Sequence, residues 1–142
     1  MILIDTNLWL YATLRELPQH ERARQWLEST INGDEPIALP WSVLLGVVRI
    51  STQARLMRQP LTPAEALDLV EGWLQQPLVQ LVVPGPDHWS LLRQLLHAVG
   101  SAGNLTPDAH LAALAISSDS LLCSADNDFR RFPGLRFLNP LA

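Results

Sequence analysis

Four aspartates carry the residue types and placement that could do chemistry. Asp5 closes the apolar run Met1-Ile2-Leu3-Ile4, and Asp126 and Asp128 follow a second such run, Leu121-Leu122-Cys123. Asp108 opens an apolar helical pattern beginning Ala109-His110-Leu111-Ala112. In an open parallel sheet, ligands bind in the crevice beyond the carboxyl ends of the strands. This spacing therefore predicts carboxylates from both ends of the chain gathered at one spot. Such carboxylates repel one another unless a divalent cation holds them. Oxygen-only ligands favour magnesium or manganese, whereas zinc ordinarily recruits histidine or cysteine.

Each acid also has a local reading. Asp5 can cap the helix that follows it, and Asp108 suits the positive end of a helix dipole. Asp126 and Asp128 fit a turn in Ser124-Ala125-Asp126-Asn127-Asp128. Asp108 strains that reading, because Leu111, Ala112 and Ala115 lie on its side of the helix, and a carboxylate aligned with an apolar stripe is poorly solvated. The joint placement favours a shared divalent-metal site over unrelated caps. The histidines add no ligand: His110, two residues from Asp108, points to nearly the opposite side of the helix. His20, His88 and His97 lack partners at ligand spacing and read as surface or packing residues.

The elements that must position these acids alternate strand and helix. Ile2–Asp5 reads as a buried strand, Leu8–Leu14 as a short helix, and His20–Ile31 as an amphipathic helix with Ala23, Trp26, Leu27 and Ile31 on one face. Pro36–Leu39 is a short strand, and Ser42–Leu56 a helix apolar nearly all round at its start. Thr62-Pro63-Ala64-Glu65 is a capping box. A strand at Leu78–Val83 precedes a helix that carries Trp89, Leu92, Leu96 and Val99 and ends near Gly100. Thr106-Pro107 is a second cap-plus-proline start, and Leu121–Cys123 and Arg136–Leu138 complete the set. This order predicts one α/β domain over residues 1–142, a three-layer α/β/α sandwich around a mostly parallel sheet of four or five strands.

Composition narrows the function classes. All ten basic residues are arginine and there is no lysine, which excludes Schiff-base and P-loop chemistry. The net charge is −4, yet the four aspartates are four of fourteen acids, leaving ten acids against ten arginines elsewhere. A bound divalent ion would also reverse much of the local repulsion toward phosphate. No serine-centred elbow, Cys/His pair or dinucleotide fingerprint is present. The tryptophans at 9, 26, 41, 73 and 89 read as core or interface, and the apolar surplus of Leu8–Leu14 and Trp41–Ile50 marks a partner surface. No apolar run approaches the ~20 residues of a membrane span, and no basic region precedes the first strand as in a signal peptide. The single cysteine fits a reducing cytoplasm.

Three segments in register resemble a known family: Leu3-Ile4-Asp5-Thr6-Asn7, then Asp108-Ala109-His110-Leu111-Ala112-Ala113-Leu114-Ala115, then Ser124-Ala125-Asp126-Asn127-Asp128-Phe129, closed by Phe132-Pro133-Gly134-Leu135. With that order and spacing the chain resembles the PIN-domain ribonucleases, specifically the VapC-like toxins of bacterial toxin–antitoxin pairs. The resemblance implies a magnesium-dependent endoribonuclease, with manganese as substitute, that acts on RNA, forms a homodimer and is blocked by a cognate antitoxin. Its acidic positions fall on Asp5, Asp108, Asp126 and Asp128 as catalytic residues. Asp5, Asp108 and Asp126 would hold the metal, and Thr6, Asn7 and Arg49 would position substrate or neighbouring acids. The family commonly carries a glutamate three residues before an arginine on the helix after the second strand. Here Gly46 stands there, with Arg49 retained. That departure supports an alternative, a catalytically weak PIN-like module that binds RNA or antitoxin. A haloacid-dehalogenase-type phosphotransferase is weaker still, because Asp5-Thr6-Asn7 lacks the second aspartate and the chain has no lysine.

Overall fold

The protein is described over residues 1–142 by a computed structural model. Its elements run β1 (Ile2–Ile4), α1 (Thr6–Thr13), α2 (His20–Ile31), β2 (Ile37–Pro40), α3 (Trp41–Ser51), α4 (Pro63–Leu74), β3 (Val79–Val82), α5 (His88–Val99), α6 (Thr106–Ser117), β4 (Leu121–Cys123) and β5 (Phe137–Leu138). Short 3₁₀ turns lie at Gly103–Leu105 and Asn127–Arg131. The strands form one sheet in the order β3-β2-β1-β4-β5, with every neighbouring pair parallel. Leu3, Ile4, Ile37, Ala38, Leu39, Leu122 and Cys123 are buried. Strands covered on both faces read as continuous apolar runs rather than alternations, which is why such short segments were recognisable.

Helix α1 packs on α2 and α3, α3 on α4, and α5 on α6. With this strand order, the right-handed rule for parallel crossovers assigns α1 to α4 to one face of the sheet and α5 and α6 to the other. The strand order reverses between β1 and β4, and a crevice opens at such a switch point.

Local signals explain most boundaries. Thr62 Oγ1 accepts from the Glu65 N–H at 3.1 Å, and Glu65 Oε1 accepts from the Thr62 N–H at 2.9 Å, a complete capping box. Gly100, at φ 76°, ends α5 in the left-handed conformation. Three expectations shift. Helix α1 begins at Thr6 rather than Leu8, because the Asp5 carboxylate accepts the Thr6 N–H at 2.7 Å and starts the helix there. Helix α3 stops at Ser51, not Leu56; the Ser51 carbonyl accepts the Leu61 N–H at 2.8 Å as the chain turns back. Thr106 is not a cap, since the preceding 3₁₀ turn runs directly into α6 and Thr106 is already helical.

Burial divides the apolar surplus. Leu8, Trp9, Leu10 and Leu14 are all buried, so the short helix is core. Helix α3 buries Val43, Leu44 and Val47 but leaves Trp41 and Leu45 more than half exposed, so only this stretch keeps a surplus facing solvent. Trp9 and Trp73 are buried against each other, ring centroids 4.3 Å apart. Cys123 is buried, and burial pushes its thiol up to about 12. No helix is long and apolar enough to cross a membrane.

Trp9 ties α1 to the strand that precedes the first aspartate, since its Nε1–H donates to the Ile4 carbonyl at 3.2 Å. Trp9→Phe removes that bond and leaves a gap beside Trp73, and should cost about 1–3 kcal/mol in denaturant unfolding. An unchanged midpoint and slope would show that this bond does not hold the end of β1.

Candidate active site

The site begins where β1 and β4 end. The Asp5 N–H donates to the Cys123 carbonyl at 2.9 Å, so the two strand ends emerge level. Ser124, fully buried, then becomes the junction. Its Oγ donates to Asp5 Oδ2 at 2.7 Å and accepts from Asn7 Nδ2 at 3.1 Å and the Asp126 N–H at 3.0 Å. Asn7 Oδ1 accepts from the Ala125 N–H at 3.3 Å, which fixes the amide's orientation. Asp126 Oδ1 accepts from the Asp128 N–H at 2.9 Å and begins the 3₁₀ turn that follows. The local readings of Asp5 and Asp126 as caps are thus realised alongside their convergence.

Asp108 arrives from the other layer, in the first turn of α6. Burial, followed by the charges of Asp5, Asp126 and Asp128, pushes its carboxyl up to about 6. That joint influence brings all four predicted acids into one field. Burial also raises Asp5, against the Ser124 and Thr6 hydrogen bonds that lower it, with a further push from Asp126. None of the four ion pairs in the molecule reaches these acids.

Asp5 and Asp108 line a cleft of about 250 Å³ together with Thr6, Gly46, Arg49 and His110. Asn7 does not line it; its amide is committed to Ser124 and Ala125. A larger surface groove of about 460 Å³ runs along α5 past Trp89 and Leu96, but no carboxylate lines it.

His110 corrects the expectation drawn from helical spacing. His110 lines the same cleft as Asp108, because the cleft takes in the first turn of α6 instead of one face. His88, expected to stand alone, has a hydrogen-bond partner here: His110 Nδ1 lies 2.9 Å from His88 Nε2. Burial, then the neighbouring His88 ring, holds His110 below its ordinary value. His20, by contrast, is a packing residue whose Nδ1 meets the Tyr11 carbonyl at 2.8 Å.

Gly46 has a clear physical setting. A Cβ there would meet Thr6 Cγ2 and Oγ1 at 3.1 Å. The Thr6 side chain therefore occupies the space through which a larger residue on α3 would leave the backbone. No acid stands at this position to add to the four aspartates.

The donor set suits a hard divalent cation: oxygen ligands only, concentrated negative charge, and no protein cation paired with it. No three acidic, histidine or cysteine side chains form a cage for one ion by themselves. Magnesium usually keeps several waters and is bound through one or two carboxylates, so the set fits an ion held partly through water.

Residues 2–135 match the PIN domain family. The chain is 43% identical over 141 residues to Ribonuclease VapC33 of Mycobacterium tuberculosis, with 99% of each chain covered. This chain is a PIN-domain protein of the VapC family. It is also 40% identical to VapC ribonuclease Mb2897 of Mycobacterium bovis, over 99% of this chain and 96% of that one. Among solved structures, VapBC2 from Rickettsia felis, bound to a DNA fragment from its promoter, has the same fold at TM-score 0.72, 19% identity and 98% coverage of both chains. The sheet order of this chain reverses between β1 and β4, where Asp5 and Asp126 lie.

Sequence reasoning missed the junction role of Ser124 and the His88–His110 pair. A hydroxyl between a buried strand and an aspartate was the available signal for Ser124. Nothing local signals a histidine pair 22 residues apart on two helices.

Two outcomes follow. Because the folded state raises Asp108 from 3.8 to about 6, it binds this proton more tightly than the unfolded chain. In ion-free protein, stability should therefore fall as pH rises from about 4 to about 6. Asp108→Asn should melt higher than wild type in chelator at pH 7, with the gap closing toward pH 4; a gap independent of pH would remove Asp108 from the shared field. In a double-mutant cycle, Gly46→Ala should gain more stability in a Thr6→Ala background than in wild type. Equal gains would mean that Thr6 does not crowd position 46.

Proposed function

We propose that this chain is a metal-dependent endoribonuclease, the toxin component of a toxin–antitoxin pair. The observation that carries this reading is the cluster of four aspartates at the sheet's switch point with no ion pair to any of them. Membership of the VapC family, whose curated relatives are named ribonucleases, supports the reaction class.

Asp5, Asp108 and Asp126 would hold magnesium or manganese, in part through water. When bound, the ion would lower the pKa of an attacking water and offset the charge building on the phosphate. Asp5 is held by Ser124 and the Thr6 N–H, so its carboxylate need not reorganise when an ion arrives. Asp128 is exposed at the margin, where it can orient a water or accept its proton. Arg49, exposed on the cleft wall and in no ion pair, offers a planar fork to phosphate oxygens. A cognate antitoxin would restrain the activity, and the solvent-facing Trp41 and Leu45 on α3 suit contact with a protein partner or a second copy.

A second reading is favoured by Gly46, which supplies no carboxylate and is closed in by Thr6. In that reading the protein binds RNA or antitoxin with little turnover. Total bacterial RNA incubated with magnesium or manganese decides between them. The expected result is discrete fragments that vanish with EDTA and with Asp108→Asn or Asp5→Asn, both variants keeping a wild-type circular dichroism spectrum. Intact RNA from folded, metal-loaded wild type would overturn the enzyme in favour of the binding module.

A further inference from the structure

The His88–His110 pair is not absorbed by the acid cluster, and its hydrogen bonding fixes which atoms carry protons. His88 opens α5 and His110 lies on α6, with the rings edge to face at an interplanar angle of 81°. One hydrogen bond of 2.9 Å joins His88 Nε2 to His110 Nδ1. His88 Nδ1 is buried with no partner. His110 Nε2 has no protein partner and is not among the buried orphan atoms, and His110 is one of the residues that line the cleft.

A hydrogen bond between two ring nitrogens needs one proton between them. If His110 Nδ1–H is the donor, His88 must accept at Nε2 and carry its own proton on Nδ1. If His88 is doubly protonated, Nδ1 carries a proton again. Each of these buries an N–H without an acceptor, which proteins almost never do, and the second buries a charge as well. One arrangement avoids it. His88 Nε2–H donates to His110 Nδ1, His88 Nδ1 is bare, and the His110 proton sits on Nε2.

A protonated Nε2 is a donor and not a metal ligand. The cleft also presents Asp5 and Asp108, which when ionised only accept, and the donors Arg49, Thr6 and Ser42. A phosphodiester entering it needs donors for its non-bridging oxygens. We propose that His110 contacts substrate, its Nε2–H donating to a non-bridging phosphate oxygen of bound RNA, and that His88 is the positioning residue that fixes this tautomer. The proposal rests on the ribonuclease reading above. It assigns His110 to binding, beside Arg49, and leaves the bond-breaking step to the acids.

Two measurements test it. Long-range proton–nitrogen correlation on ¹⁵N-histidine-labelled protein reports each tautomer directly; both rings should carry their proton on Nε2. The Nδ1–H tautomer at His110 would overturn the proposal, whatever the activity. For the contact, a short synthetic RNA spanning a cleavage site from the total-RNA assay is titrated, by fluorescence anisotropy, into Asp108→Asn protein with and without a second change at His110. His110→Phe should weaken binding about ten- to hundredfold, the worth of a hydrogen bond to a charged group. His110→Gln, which keeps an N–H near the Nε2 position, should restore most of that loss. In the Asp108-intact enzyme, His110→Phe should raise KM by a similar factor with little change in kcat. Wild-type affinity in His110→Phe, or no rescue by glutamine, would overturn the contact. Wild-type protein that neither binds nor cuts RNA would sink the ribonuclease reading itself and the contact with it.

Discussion

The register of β1 against β4 is the constraint on which the site depends. Leu3 pairs with Leu122 and Ile4 with Cys123, and the Asp5 N–H continues the ladder onto the Cys123 carbonyl. A slip of one residue would send Asp5 to the other face of the sheet. It would also break the contact with Ser124, through which Asn7 and Asp126 are oriented. Two short strands thus place groups more than a hundred residues apart within hydrogen-bond reach. Their burial on both faces makes the register costly to change.

That placement works against the stability of the empty site. Burial and mutual repulsion raise Asp5 and Asp108 together, and no arginine is paired with either. Elsewhere the chain spends its arginines conventionally, as in Arg24 between Glu21 and Glu28 or Arg136 on Asp119. These exposed pairs contribute little. The molecule therefore concentrates electrostatic strain at one end of its sheet and offsets it with an apolar core that includes Trp9, Trp73 and Phe129.

The parts legible in the sequence were those governed by short-range rules. The apolar runs of β1, β2 and β4 announced a sheet covered on both faces, the Thr62–Glu65 box announced α4, and Gly100 announced the end of α5. Asp5 and Asp126 could be linked in advance because parallel topology forces strand ends together. Ser124 as junction was harder to see, since its role depends on the register of partners at positions 5 and 7. That His110 lines the same cleft as Asp108 was not visible from helical angle alone, which ignores a cleft that wraps a helix end. The close approach of Thr6 to Gly46 required the packing of α1 on α3, which no pattern in either helix encodes.

The single thiol of Cys123 acquires a use from its position. It is the last residue of β4, immediately before Ser124, and burial holds it protonated at any physiological pH. Thiol reagents attack the thiolate, so the closed strand is inert to them. Any modification of the native protein must pass through a state in which β4 has come away from its neighbours. Labelling kinetics at this one atom would then report how often the strand that carries half the acidic cluster opens. Under the metal-dependent reading proposed above, an ion held by Asp5 and Asp126 would slow that opening, and the cysteine would serve as a built-in clock for occupancy of the site.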